Sequence, residues 1–441
     1  MSNSDKQMSS KRKNPTLRIL AAVLAVMILI SAIVPLGFGG YRECWWNLWG
    51  GKIEYPYVLV HGLGGFGESE DKSVSYWGAT TGSLPEYLRS REHMVVAPSI
   101  GPYSSTWDRV CELYAQLTGT QVDYGLAHAE AHNHARFGRT YTEPLVPNWG
   151  SRVNGGQRIR IHLIGHSFGG AAIRMLTSLL ANGNSDEMKA TGKQTSPLFT
   201  GGKADWVFSV TTLCAPHNGS QLTCIVDEIG SVAGINDTTQ LLVNLMFRLA
   251  KESNSAFGMT DLMLDQFGVR SVDANEDDVT QALHDVENIG IDHAFYDLSP
   301  DGAAELNRSI QTVKGVYYFS YAYSTVSDGS ILGGKVPQLA TLPVLMPLAL
   351  AMGSYKGTTP GGIVIDESWQ ANDGLVSVVS AQYPTGESYV SLDVDNIKKG
   401  VWNVAPTGDG DHGTVIGLNA DREKTHQFFD TLFEMLTNLK R

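Results

Sequence analysis

The residue of this chain best suited to do chemistry is the serine of Gly165-His166-Ser167-Phe168-Gly169-Gly170. A short apolar run at 159–164, Ile-Arg-Ile-His-Leu-Ile, leads straight into it, and a helical pattern over 171–180 follows and stops near Gly183. Gly-x-Ser-x-Gly between a strand and a helix is a nucleophile elbow: the turn is tight enough to demand small neighbours, and it lifts the hydroxyl above the sheet. The helix N-terminus beneath it favours negative charge developing there. Such a serine supports acyl transfer through a covalent intermediate, provided that it has partners. Without them the segment is only a glycine-rich turn.

In this architecture the chain order is serine, acid, histidine. Of the twelve histidines, His412 fits best, in the loop Gly408-Asp409-Gly410-Asp411-His412-Gly413 ahead of an amphipathic segment at 426–439. Two aspartates compete to orient it. Asp373 lies in Asn372-Asp373-Gly374-Leu375-Val376, before a β-like run at 375–379; Asp366 ends the run 362–365. Either is also an ordinary turn residue, and spacing does not separate them. A tetrahedral intermediate needs two backbone N–H donors. The residue after the nucleophile, Phe168, supplies one. Leu63 is assigned the other, because Tyr57-Val58-Leu59-Val60 reads as a strand and His61-Gly62-Leu63-Gly64-Gly65 as the glycine-rich loop after it.

The elements that must position these residues span Ser167 to His412, which argues for one large domain over 41–441 even though 441 residues would allow two or three. The expected fold class is α/β, an α/β-hydrolase with a mostly parallel central sheet flanked by helices. A net charge of −12 argues against nucleic acid and against simple docking on anionic membranes. Four cysteines follow no metal or redox spacing; a Cys214–Cys224 bridge and buried free thiols are both open readings. Residues 1–40 combine Lys6, Lys11, Arg12, Lys13 and Arg18 with an apolar run at 19–34, the pattern of a signal peptide or a retained membrane anchor. Either places the domain outside the cytoplasm, secreted or held on the outer side of the membrane. Residues 240–250 read as an amphipathic helix, and a core helix packed on the sheet and a movable cover over about 220–265 are both open readings. The apolar run at 340–352 reads as a pocket-lining loop because of its prolines. Spacing would pair His128 with His132 on one helix face as metal ligands, and a solvated histidine-rich loop is the competing reading.

Several further segments, in one order from about residue 55 to the C-terminus, resemble the zinc-containing bacterial lipases typified by the thermostable bacillus enzymes, with staphylococcal lipases as relatives. They are Val58-Leu59-Val60-His61-Gly62, Trp107-Asp108-Arg109, and the runs 122–128 and 134–141. The elbow, the run 210–217, Leu264-Asp265-Gln266, Asn372-Asp373-Gly374 and the run 399–403 complete the set. The resemblance implies Asp373 rather than Asp366 as the acid, supports His412, and makes His217 structural. It implies a structural zinc held by Asp108, His128, His134 and Asp265, stapling a zinc-bearing insertion to the core, and a helical lid. It also implies a calcium near the catalytic histidine, at positions matching Gly353, Thr414 and Asn419. Calcium prefers charged oxygens, so that site is expected to be weakened or absent here.

The resulting expectation is an exported lipase that hydrolyses carboxylic esters of triacylglycerols at an interface by a Ser167–His412–Asp373 mechanism. The rivals are a short-chain carboxylesterase acting on soluble or polymeric esters and, from another class, a non-catalytic, membrane-held binding protein on a hydrolase scaffold. A peptidase is third, because the scaffold supports many acyl transfers.

Overall fold

The computed structural model describes residues 54–69, 75–153, 156–232, 261, 263–268, 290–329, 334–343 and 345–441. In chain order its main elements are β1 (Tyr57–Val60), α1 (Leu84–Ser90), β2 (Val95–Val96), α2 (Thr106–Thr118) and α3 (Leu126–His132). They continue with β3 (Ile161–His166), α4 (Gly169–Asn182), β4 (Val207–Leu213), α5 (Pro300–Ser309) and β5 (Tyr317–Tyr321). The last are α6 (Met346–Met352), β6 (Tyr389–Ser391), β7 (Trp402–Val404) and α7 (Arg422–Thr437). The strands form one sheet in the order β6-β7-β5-β4-β3-β1-β2, with every neighbouring pair parallel.

Parallel strands must be covered on both faces, so they read as continuous apolar runs rather than alternating ones. In β1 every residue is buried, yet the side chains still alternate. Val58 and Val60 join the core that holds Val110, Leu113 and Leu117 of α2 and Ile173, Leu176 and Leu180 of α4. Tyr57 and Leu59 join the opposite core, with Leu84 and Leu88 of α1 and Phe429, Leu432, Phe433 and Leu436 of α7. Truncating Phe429 to Ala would cost about 3–5 kcal/mol. Helix starts are set by side chains: Ser105 caps α2 by accepting from Asp108 N, and Asp421 caps α7 by accepting from Lys424 N at 2.9 Å.

Two local expectations fail, and one open reading is decided. The run at 375–379 is not a strand; Val378–Gln382 is a short helix following an isolated bridge between Asn372 and Ser377. The segment at 340–352 is not all loop, because Pro347 falls in the first turn of α6, where its missing N–H costs nothing. Cys111, Cys214 and Cys224 are free thiols, so the 214–224 bridge is absent. Part of the expected lid region forms the helix Gln221–Val232; residues 240–250, like the leader at 1–40, lie outside the described residues. Among the described residues no helix is long and apolar enough to cross a membrane.

Candidate active site and metal cluster

Strand β3 ends at His166, and α4 starts three residues later at Gly169. Turning that sharply forces Ser167 to φ +55°, a left-handed conformation costing a non-glycine residue about 1–3 kcal/mol. Its N–H donates to Leu213 O of β4 at 2.9 Å. A Cβ on Gly169 would lie 2.3 Å from Val60 O, so only glycine lets the helix start so close to β1. Gly62 is equally constrained: a Cβ there would meet Ser167 Cβ at 2.7 Å. The loop after β1 therefore packs directly against the serine.

His412 lies on the loop after β7. Its Nδ1 is 2.8 Å from Asp373 Oδ2, its N–H donates to Asp373 O at 2.9 Å, and both side chains are buried. Asp373 Oδ1 accepts from Leu375 N (3.0 Å) and Val376 N (2.8 Å), which fixes the carboxylate. The backbone carbonyl of His412 accepts from His166 Nε2 at 2.9 Å, so the histidine loop is tied to the residue immediately before Ser167. Asp366, the rival acid, is an exposed cap whose carboxylate accepts from Ser368 N and Oγ.

The loop at 61–65 is pinned from below. Ile100 N donates to His61 Nε2 (3.1 Å), so His61 Nδ1 carries the proton and donates to Gly62 O at 2.9 Å. Burial and the Arg109 charge push the His61 pKa down to about 3, keeping it neutral. Arg109 is itself fully buried and donates to His61 O and to Gly101 O (3.2 Å), with its guanidinium over the Phe168 ring. Gly62 O and Leu63 N belong to one peptide unit, so holding that carbonyl orients the Leu63 N–H. Among the described residues neither Leu63 N–H nor Phe168 N–H has a hydrogen-bond acceptor.

A second cluster lies between the start of α2 and the chain after α3. Asp108, His128, His134 and Asp292 each present one ligand atom, all within 4.8 Å of one another. His128 Nε2 is 3.3 Å from Asp108 Oδ1 and 3.4 Å from Asp292 Oδ2, and His134 Nε2 is 3.4 Å from Asp292 Oδ2. Those four atoms are buried without a hydrogen-bond partner. Ligands about 2.0–2.1 Å from one tetrahedral ion stand about 3.3–3.4 Å apart, so the observed edges fit. The chain reaches His134 by ending α3 at His132 and turning through Asn133 at φ +55°. His134 Nδ1 lies 3.0 Å from Ala135 O and donates to it, which leaves Nε2 as the bare ligand nitrogen.

Asp265 is not in this cluster. Its carboxylate accepts from Arg139 Nε and from a terminal guanidinium nitrogen, and that charge pair commits it elsewhere. The short turn Asp265–Phe267 sends successive side chains to different neighbours. Gln266 Nε2 donates to Asp108 Oδ2 (2.7 Å), orienting that carboxylate of the cluster, and the Phe267 ring meets His134 edge-on at 5.5 Å. Asp292 was missed because nothing in its surroundings, Ile291-Asp292-His293, carries a spacing signal.

At the expected calcium position the neutral side chains of Thr414 and Asn419 both bond to the neighbouring Asp411. Asp411 accepts from Gly413 N (3.1 Å) and Thr414 Oγ1 (3.0 Å) on one oxygen, and from Leu342 N (2.9 Å) and Asn419 Nδ2 (3.0 Å) on the other. Four donors saturate a carboxylate. The Gly353 carbonyl accepts from Lys335 N.

A parallel sheet carrying a serine on a strand–helix turn, with a buried Asp–His pair beside it, defines an α/β-hydrolase-like protein. The chain belongs to the family described as Lipase-like, C-terminal domain, whose model matches residues 53–440. It is similar to Lipase 2 of Staphylococcus aureus, 34% identical over 377 residues, which is 83% of this chain and 51% of the relative. The chain spans about half the length of the curated relatives it matches. Among solved structures it is similar to Staphylococcus hyicus lipase (TM-score 0.74, 31% identity, 87% of this chain and 95% of that one). It is also similar to EstA from Clostridium botulinum (TM-score 0.77, 32% identity, 96% and 98%).

Proposed function

We propose that the protein is an exported lipase that cleaves carboxylic esters of triacylglycerols through an acyl-enzyme. The observation that carries this is the buried His412–Asp373 pair at 2.8 Å, tied through the His412 carbonyl to the residue preceding Ser167. Ser167 Oγ attacks the ester carbonyl and gives its proton to His412 Nε2, because Nδ1 is committed to Asp373. Asp373 stabilises the imidazolium without taking its proton. The Leu63 and Phe168 N–H groups receive the developing oxyanion, each such donor contributing about 3 kcal/mol to the transition state. The imidazolium then protonates the leaving alkoxide. Water, deprotonated by the same histidine, releases the carboxylic acid.

Within the family we place the chain on the zinc-containing branch. Two histidine nitrogens and two carboxylate oxygens suit zinc, and with four protein ligands its contribution would be structural. Asp108, His128, His134 and Asp292 would hold it, joining the start of α2 to the chain after α3 and to the segment before α5. Export rests on the basic-plus-apolar leader at 1–40, which lies outside the described residues, as does most of the proposed lid.

Hydrolysis of p-nitrophenyl esters from two to sixteen carbons, wild type against Ser167→Ala, tests the reading. Ser167-dependent turnover favouring long chains is expected. Turnover confined to short chains would move the assignment to a carboxylesterase, and none at all would favour a binding protein.

A further inference from the structure

Outside the triad, the sharpest unexplained feature is a chain of hydrogen bonds through the two residues that flank it in space, Tyr76 and His166. Gly62 N–H donates to Tyr76 Oη at 2.9 Å; Tyr76 Oη lies 2.6 Å from His166 Nδ1; His166 Nε2 lies 2.9 Å from the carbonyl oxygen of His412. The direction of every bond is fixed by chemistry. A carbonyl only accepts, so His166 Nε2 carries a proton. A neutral imidazole has one N–H, so Nδ1 is bare and accepts from the phenol, while the phenol oxygen accepts from Gly62 N–H. Burial, with His412 close by, holds His166 well below the usual histidine range, and burial pushes the Tyr76 phenol up, so both stay neutral. The rings are packed in place: Tyr76 meets His61 and Trp77, and the His166 ring centroid lies 4.8 Å from that of His412.

We propose that Tyr76 and His166 are positioning residues forming one bridge between the loop that carries the Leu63 N–H and the loop that carries His412. The two loops come from opposite ends of the chain, after β1 and after β7, and the elbow stands between them. At one end the bridge occupies the Gly62 N–H, leaving the next amide, Leu63, as the donor that faces substrate. At the other it holds the backbone of the base. The approach is close enough to require glycine, since a Cβ on Gly62 would lie 2.9 Å from Tyr76 Oη. Oxyanion donor and base are thereby set relative to Ser167 by one shared element. A misplacement of about 1 Å in such geometry costs on the order of a hundredfold in rate.

The bridge rests on the acyl-transfer reading, and the test separates the two. Kinetics on p-nitrophenyl butyrate, a soluble substrate, would compare wild type, Ser167→Ala, Tyr76→Phe, His166→Phe and the Tyr76→Phe/His166→Phe double variant. Tyr76→Phe keeps the packed ring and removes only the hydroxyl. We expect it to lower kcat by about ten- to a hundredfold with KM within about twofold. The double variant should be no slower than the slower single one, because either change alone already breaks the bridge. Independently, histidine 15N spectra of the wild type should show His166 protonated at Nε2 and bare at Nδ1. A His166 protonated at Nδ1, a Tyr76→Phe variant with unchanged kcat, or single-variant losses that multiply in the double variant would each overturn the bridge. Ser167→Ala turning over as fast as wild type would overturn the acyl-transfer reading and the bridge's role in catalysis with it.

Discussion

Around Ser167 the imidazoles and carboxylates are paired within the chain. His412 is matched to Asp373, Asp373 to two backbone amides, His61 to Ile100 and Gly62, and Asp411 to four donors. Around His128 the arrangement is the reverse. Asp108 Oδ1, His128 Nε2, His134 Nε2 and Asp292 Oδ2 converge, and each is buried without a hydrogen-bond partner. Buried polar atoms left unpaired are expensive, so a fold that gathers four of them is incomplete until something of opposite character sits among them. The difference separates two tasks. On the proposed activity the elbow's ligand leaves in every cycle, so its geometry must be fixed by the chain alone. The cluster joins segments distant in sequence and is suited to an ion that stays.

The strongest way to break this contrast is to attack the self-sufficient side. Asp373→Asn should keep the fold and lower kcat by on the order of 10⁴-fold, since the amide favours the wrong His412 tautomer; a loss below tenfold in steady-state assays would remove Asp373 from the mechanism. On the other side, Asp292→Ala should abolish stoichiometric zinc by metal analysis, whereas Asp265→Ala should retain it. The opposite pattern would return Asp265 to the ligand set. Stripping metal with a chelator should lower the melting midpoint by on the order of 5 °C, and an unchanged midpoint would mean that the cluster is stable empty.

Smaller effects sharpen the picture. His61, held down to about 3 by burial and Arg109, stays neutral in the folded protein while the unfolded chain takes up a proton below about 6.5. Its contribution to stability is therefore complete above that pH and shrinks as pH falls towards 3, by at most about 1.4 kcal/mol per unit. Histidine resonances followed from pH 7.5 to 4.5 should show no titration of His61, and a midpoint near 6.5 would contradict its pairing. The smallest effect is expected from calcium. Millimolar calcium should move the melting midpoint by less than about 1 °C, and a clear rise not reproduced by magnesium would show that Asp411 releases its donors to an ion.

Much of the active side was legible because its constraints are local. A strand, Gly-x-Ser-x-Gly and a helix must be contiguous to make an elbow, so 159–180 announced both the turn and the serine at its centre. His412 and Asp373 were readable only through chain order and resemblance; the bonds that distinguish Asp373 from Asp366 join residues 39 positions apart. The histidine–aspartate cluster shows where such reading stops. Leu264-Asp265-Gln266 did point to the cluster, but a one-residue change of direction in a tight turn makes Gln266 its supporting residue and leaves Asp265 to Arg139. Asp292 joins through tertiary packing that no periodicity encodes. Tyr76 and His166 were invisible for the same reason: each is an ordinary buried ring until the loops it touches are assembled.

The saturated carboxylate of Asp411 has a consequence for the working life of such an enzyme. Cleavage of long-chain esters liberates soaps, and soaps strip calcium from solution as insoluble salts. A loop braced by a dissociable ion would slacken as its own product accumulates. With Thr414 and Asn419 closing the loop as covalent parts of the chain, this brace cannot be precipitated away, and on the proposed activity the histidine loop would keep its shape as product accumulates.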